Sequence, residues 1–234
     1  MRLVVKNQTK FGLQMKGFLL ALLTLLQLHV FAADSLKVRK KFFFAGFGAF
    51  AYKGSLSPSY AKWTPGITFG IRFEKKKNVN GMIVLTFGKV IGEDRSYVAP
   101  SNTPEGVTPI NRFQTSFFSL HYEAQIVLLR FRNFKFYASP GIGFIRYTAK
   151  DWNGNPLIDR TKTRNPNESY SQNAFVFPIQ FGFRYSFPNE MALGFEAGWM
   201  NTATKYLDNM HELATRGGGD NIANLRFQVF LPIK

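Results

Sequence analysis

No cysteine occurs in the 234 residues, which excludes a disulfide framework, thiolate metal sites and a lipid-anchored cysteine at a mature N-terminus. Acidic residues are scarce: 14 Asp and Glu stand against 30 Lys and Arg, a formal charge of +16. Only three His are present, so each can be weighed singly. Beyond residue 33 there is no long apolar run. Stretches such as Met82–Leu85 and Ile126–Leu129 fall far short of the roughly 18 residues of a spanning helix. Yet the chain is no solvated polycation, because 45% of it is hydrophobic, too much for a disordered basic tail. Its length fits one domain, or at most two small ones.

What the chain has in excess is aromatic: 16% of residues, 26 of them Phe. Part of the apolar content is local. Residues Gly17 to Leu28 are apolar except for Thr24 and Gln27, with Arg2, Lys6, Lys10 and Lys16 before them and Val30-Phe31-Ala32 after. A basic n-region, a short apolar h-region and a small-x-small site describe a secretory signal peptide, expected over residues 1–32. As a helix the run would be about 18 Å long, too short for a hydrocarbon core of ~30 Å. Met15 offers an alternative start. Removing 1–32 leaves 26 basic residues against 14 acidic ones, or +12.

The rest alternates with period two. In 174–187 the odd positions are Phe175, Phe177, Ile179, Phe181, Phe183, Tyr185 and Phe187, while the even ones include Ala174, Gln180, Gly182, Arg184 and Ser186. A strand turns alternate side chains to opposite faces, so one face is large and apolar and the other small or polar. The same holds for 66–74, 114–128, 191–200 and 222–231, and more weakly for 42–52, 81–90 and 134–147. Bulky residues outside and small or charged ones inside describe a lipid-facing barrel. The alternative, a soluble sandwich or lipocalin-like barrel, would carry Lys, Glu and Thr on its second face.

Connection lengths point the same way. Lys75–Asn80, Arg130–Asn133 and Pro188-Asn189 are short; Lys53–Trp63, Gly92–Asn111, Lys150–Asn173 and Thr204–Asn221 are long, and the two classes alternate. The expected fold is therefore all-β, an eight-stranded antiparallel transmembrane barrel of outer-membrane type over 42–234, with a periplasmic segment at 33–41 and outer-membrane lipid around it. Such a barrel fills its own interior, which argues against a general porin. Trp63, Tyr97, Tyr147, Trp152 and Trp199, near strand ends, suit an aromatic girdle.

Chemistry is sparse. Ser119-x-His121-x-Glu123 supplies the parts of a nucleophilic triad on one strand face. Residues two apart on a strand sit about 6.6 Å from each other, beyond a hydrogen bond, so lumenal packing is expected and no catalytic residue is assigned. His211 reads as a solvated loop residue. Arg72, Glu74, Glu123, Arg184, Glu196 and Arg226 fall on the polar face, three of each sign, and should pair as a lumenal charge network. Glu93, Asp94 and Asp208 lack the spacing of a calcium loop, and no metal or cofactor is expected. Gly217-Gly218-Gly219 opens no helix, so it is no phosphate cradle. Nucleic acid is excluded as a partner by export and by the lack of any motif. Lys75, Lys76 and Lys77 occupy a periplasmic turn, either solvated or a contact for an acidic periplasmic partner.

Several segments resemble the PorG-like family of Bacteroidetes outer-membrane barrels. They are Gly48–Pro58, Pro65–Phe73, Gly88–Asp94, Tyr137–Phe144 and Thr204–Asp208, in family order over most of the mature chain. Ser55 stands where the family usually has Asp, and Lys205 replaces the first Asp of a Thr-Asp-Tyr-Leu-Asp pattern. The resemblance implies an outer-membrane component of the type IX secretion machinery, associated with a periplasmic ring of a lipoprotein and a soluble partner. The alternatives are a small-solute channel or passive structural barrel, and a lipid-modifying hydrolase.

Overall fold

The computed structural model describes residues 38–75, 78–165, 170–213 and 219–233. The expected signal peptide, Lys76, Lys77, Gly217 and Gly218 lie outside them. Eight strands follow one another: β1 (Val38–Lys53), β2 (Trp63–Lys75), β3 (Val79–Glu93), β4 (Arg112–Phe131), β5 (Phe134–Lys150), β6 (Asn173–Ser186), β7 (Ala192–Thr202) and β8 (Asn221–Ile233). Each pairs antiparallel with its sequence neighbour, and β1 pairs with β8 to close the barrel. Closure leaves no unpaired edge, the condition for a sheet to stand in hydrocarbon. The first strand starts at Val38, inside the segment expected to precede the barrel, because its pairing with β2 runs to Lys75.

The large apolar residues point outward. Phe47, Phe144, Phe181, Ile142 and Leu120 are at least half exposed, and they cover the wall that a soluble protein would hide. Many of the 26 Phe form cross-strand pairs on this face, such as Phe144–Phe175 at 4.7 Å and Phe47–Phe227 at 5.4 Å between ring centroids. Such pairs are the unit of sheet stabilisation. In β4 the register shifts between Val127 and Leu129, and the extra residue leaves both Leu128 and Leu129 outside, as a bulge does. The exterior is that of a membrane-spanning barrel.

The interior departs from a uniformly small and polar face. Phe42, Phe44, Phe50, Tyr52, Phe113, Phe117, Tyr147 and Phe230 all point inward and are buried. Glycines make this fit. A methyl carbon built on Gly88 would lie 2.7 Å from Cζ of Phe117, and one on Gly194 would lie 2.8 Å from Cε2 of Phe230. Each ring therefore lies over the bare backbone of the adjacent strand, where any Cβ would displace it.

The aromatic girdle is smaller than expected. Trp63, Trp152 and Trp199 are about half exposed, but Tyr147 is buried in the lumen, and its hydroxyl donates to Ser171 O. Tyr97 packs against the interior cluster, its hydroxyl donating to Leu213 O at 2.9 Å. Tyr147 falls at an inward position of β5, and strand parity overrides its place near the strand end.

Candidate functional site

The lumen stacks into layers. At its centre β4, β7 and β8 bring Glu123, Glu196 and Arg226 together. Arg226 Nη2 donates to Glu123 Oε1 and Oε2 at 2.8 and 3.1 Å. It also lies 2.7 Å from Glu196 Oε2, an ion contact out of line for a hydrogen bond. All three side chains are essentially inaccessible, so each charge depends on its partners. Tyr137 donates to Glu196 and Ser139 to Glu123, both at 2.9 Å.

A second group lies towards the short-turn end. Glu74 receives Arg72 at 3.0 Å, Arg184 at 3.2 Å and Lys135. Gln125 bridges the two groups, accepting from Arg72 Nε at 2.7 Å and donating to Glu196 at 3.4 Å. The six charges named from sequence thus fall into two clusters, joined by Lys135, Gln125, Tyr137 and Ser139, which sequence reasoning missed. Lys135, Tyr137 and Ser139 share the inward parity of β5, and that parity was the signal available for them.

Ser119, His121 and Glu123 are connected along one strand, contrary to the expectation from their spacing. Ser119 Oγ lies 3.3 Å from His121 Nδ1, and His121 Nε2 lies 3.0 Å from Glu123 Oε1. Side chains lean along a strand, and an imidazole with a nitrogen on each side spans the gap that the Cα spacing leaves. The line is packed inside the lumen, with Ser119 and Glu123 wholly buried and His121 nearly so. Glu123 is already committed to Arg226 and Ser139.

Apolar layers close both ends. Towards the short turns, Phe42, Phe44, Met82, Val84, Ala192 and Phe230 pack together. Towards the long loops, Leu56, Leu207 and Met210 fold down onto Phe50, Tyr52, Phe113 and Tyr147. The long loops also brace each other. Thr108 N donates to Lys162 O at 2.7 Å, and buried Arg164 donates to Asn209 Oδ1 at 2.8 Å and stacks on Tyr170. His211 is half-buried, its ring 5.5 Å from that of Tyr206, rather than free in solvent.

Asp208 sits in this outer cap and faces Asp220. Tyr52 Oη lies 2.8 Å from Asp208 Oδ2 and 2.7 Å from Asp220 Oδ1. A phenol has one proton to give, so the second contact needs a proton on one carboxyl. Burial lifts the Asp208 carboxyl to about 6 and, with the charge of Asp208 added, lifts Asp220 as well. Asp208 also accepts from Leu56 N and Met210 N, which makes it a structural clasp. Among the described residues no group of three or more His, Asp or Glu is placed to hold a metal ion.

Comparison with protein-family models and with curated proteins finds no match. Solved structures similar to this chain include Ail, the attachment invasion locus protein of Yersinia pestis, in complex with a heparin analogue. It is 9% identical, with 83% of this chain and 98% of that one covered and a TM-score of 0.46. Neisserial surface protein A is 16% identical over 82% and 96%, also at 0.46. The outer membrane protein OprG from Pseudomonas aeruginosa is 10% identical over 82% and 93%, at 0.35.

Proposed function

We propose that this chain is an outer-membrane component of the type IX protein secretion machinery, a non-enzymatic barrel that anchors or contacts a periplasmic ring. One observation carries the reading: the lumen is braced by buried ion pairs and covered by apolar packing at both ends. A barrel closed in this way suits an anchor better than a conduit. The signal-like N-terminus and the alternation of short and long connections support placing the short turns in the periplasm. The PorG-like segments suggest the machinery to which it belongs. Deleting the chain is expected to block export of type IX cargo while the membrane stays otherwise intact. Crosslinking at the periplasmic turns is expected to recover ring proteins. Normal cargo export in the deletion strain would overturn the proposal.

Two further readings each have an observation behind them. The buried side chains of Thr68, Asn224 and Gln228 have polar atoms without a partner among the described residues, which favours a small-solute path and is tested by conductance. The Ser119–His121–Glu123 line favours a lipid hydrolase. That reading requires overexpression to change lipid A by mass spectrometry, and His121→Ala to reverse the change.

A further inference from the structure

A cavity of about 400 Å³ opens at the short-turn end of the barrel, within the size range of ligand pockets. Lys40, Lys75, Arg130, Lys135 and Arg184 line it, against two carboxylates, Glu74 and Glu190. Both carboxylates are spoken for. Glu190 takes Lys40, and Glu74 is shared by Lys135, Arg184 and Arg72. Among the described residues no carboxylate pairs with Lys75 or Arg130.

Arg184 adds a buried cation to the wall of this cavity. It is 3% exposed, and its guanidinium is held between the rings of Phe42 at 4.6 Å and Phe230 at 5.3 Å. Its Nη1 reaches Glu74, yet among the described residues its buried Nε has no hydrogen-bond partner. A buried N–H without an acceptor is costly, and here it belongs to a rigid cation at the wall of a cationic cavity. A carboxylate entering the cavity meets this guanidinium at the wall, and a small shift of the side chain would give its Nε–H an acceptor.

We infer that this mouth binds a carboxylate-rich segment of a periplasmic protein, entering along the barrel axis. The five cations sit on five strands, β1, β2, β4, β5 and β6, so they suit several carboxylates spread along a segment better than one small oxyanion. Phe42, Glu74, Lys135 and Arg184 face inward, which disfavours a lipid headgroup whose acyl chains must remain outside the wall. The inference rests on the proposed orientation, with the short turns in the periplasm, and it names the chemistry of the partner contact.

The test uses the purified full-length barrel in phosphatidylcholine nanodiscs, titrated with fluorescent hexaglutamate and with hexaglutamine. Hexaglutamate is expected to bind one per barrel, weakening as salt rises, while hexaglutamine does not bind. Joint Lys75→Gln and Arg130→Gln substitution at the rim should weaken binding about tenfold. The Arg184 Nε–H resonance should shift on titration of the unsubstituted barrel, a readout that needs no variant to fold. Equal affinity for hexaglutamine, or for the doubly substituted barrel, would overturn the inference. So would displacement by an equimolar amount of inorganic phosphate, or loss of binding in phosphatidylglycerol nanodiscs. If hexaglutamate fails to bind while ring proteins still crosslink to the turns, this inference falls and the anchoring role stands. If it binds while deletion leaves export intact, the pocket stands and the secretion role falls.

Discussion

Arg226 holds two buried carboxylates at once, and its own burial leaves it no water to fall back on. Truncating it strands Glu123 and Glu196 against each other in a low-dielectric interior. Removing one partner of a buried ion pair costs about 3–5 kcal/mol, so Arg226→Met is expected to destabilise the barrel by roughly that amount. Urea unfolding in detergent, followed by tryptophan fluorescence, measures it. At Gly66 the constraint is steric. A methyl carbon there would lie 2.5 Å from the carbonyl oxygen of Phe87 and 2.6 Å from Cε2 of Phe50. The backbone oxygen cannot swing aside as a side chain could, so Gly66→Ala should cost about 1–3 kcal/mol by overpacking, read by the same titration. The six lumenal charges were legible because parity alone places them. Their division into two clusters was not, since it depends on how far each residue sits along a tilted strand. The Ser119–His121–Glu123 line was misjudged because Cα spacing ignores the reach of an imidazole.

At the scale of strands and loops, outward faces could be read from alternation, as in 174–187, because lipid selects one kind of residue there. The inward aromatics were harder to read. Phe117 and Phe230 look like exceptions to a small, polar face until the glycines that lie under their rings on the next strand are located. The loops gave less still: nothing in their sequence shows that Leu56 and Leu207 meet inside the barrel mouth. What holds that cap is titratable. The folded-state values of Asp208 and Asp220 are raised by burial. The folded cap therefore binds protons more tightly than the open chain does. Its stability is full below the unfolded carboxylate range of about 4 and is lost as pH rises through about 6 and beyond. Hydrogen exchange at Leu207–Met210, corrected for intrinsic rates, should show stronger protection at acidic than at alkaline pH. Joint Asp208→Asn and Asp220→Asn substitution should flatten that dependence. A profile unchanged by the pair of substitutions would mean that the shared proton does not hold the cap.

For the whole molecule, strand number, connection parity and closure were open to sequence reasoning because they depend on counting. Whether the lumen conducts was not, because that depends on packing at both mouths. The outer mouth is covered by Leu56, Leu207 and Met210, and the inner one by Phe42, Phe44 and Phe230. Between them Arg226 is paired with Glu123 and Glu196 across the bore, while Glu74 pairs with Arg72 and Arg184 at the inner mouth. An ion on this path would meet two apolar barriers in series and a region where displacing one charge exposes another. The unsubstituted barrel should therefore show no steady conductance in planar bilayers. Replacing Leu56 and Leu207 with Ser loosens only the outer barrier, so that variant should stay closed too. Adding Phe44→Ala and Phe230→Ala removes the rings over the inner mouth and should produce open events, because barriers in series must both fall before current flows. Steady current through the unsubstituted barrel would instead mean that the braced interior transmits ions, and the anchor would have to be reconsidered as a channel.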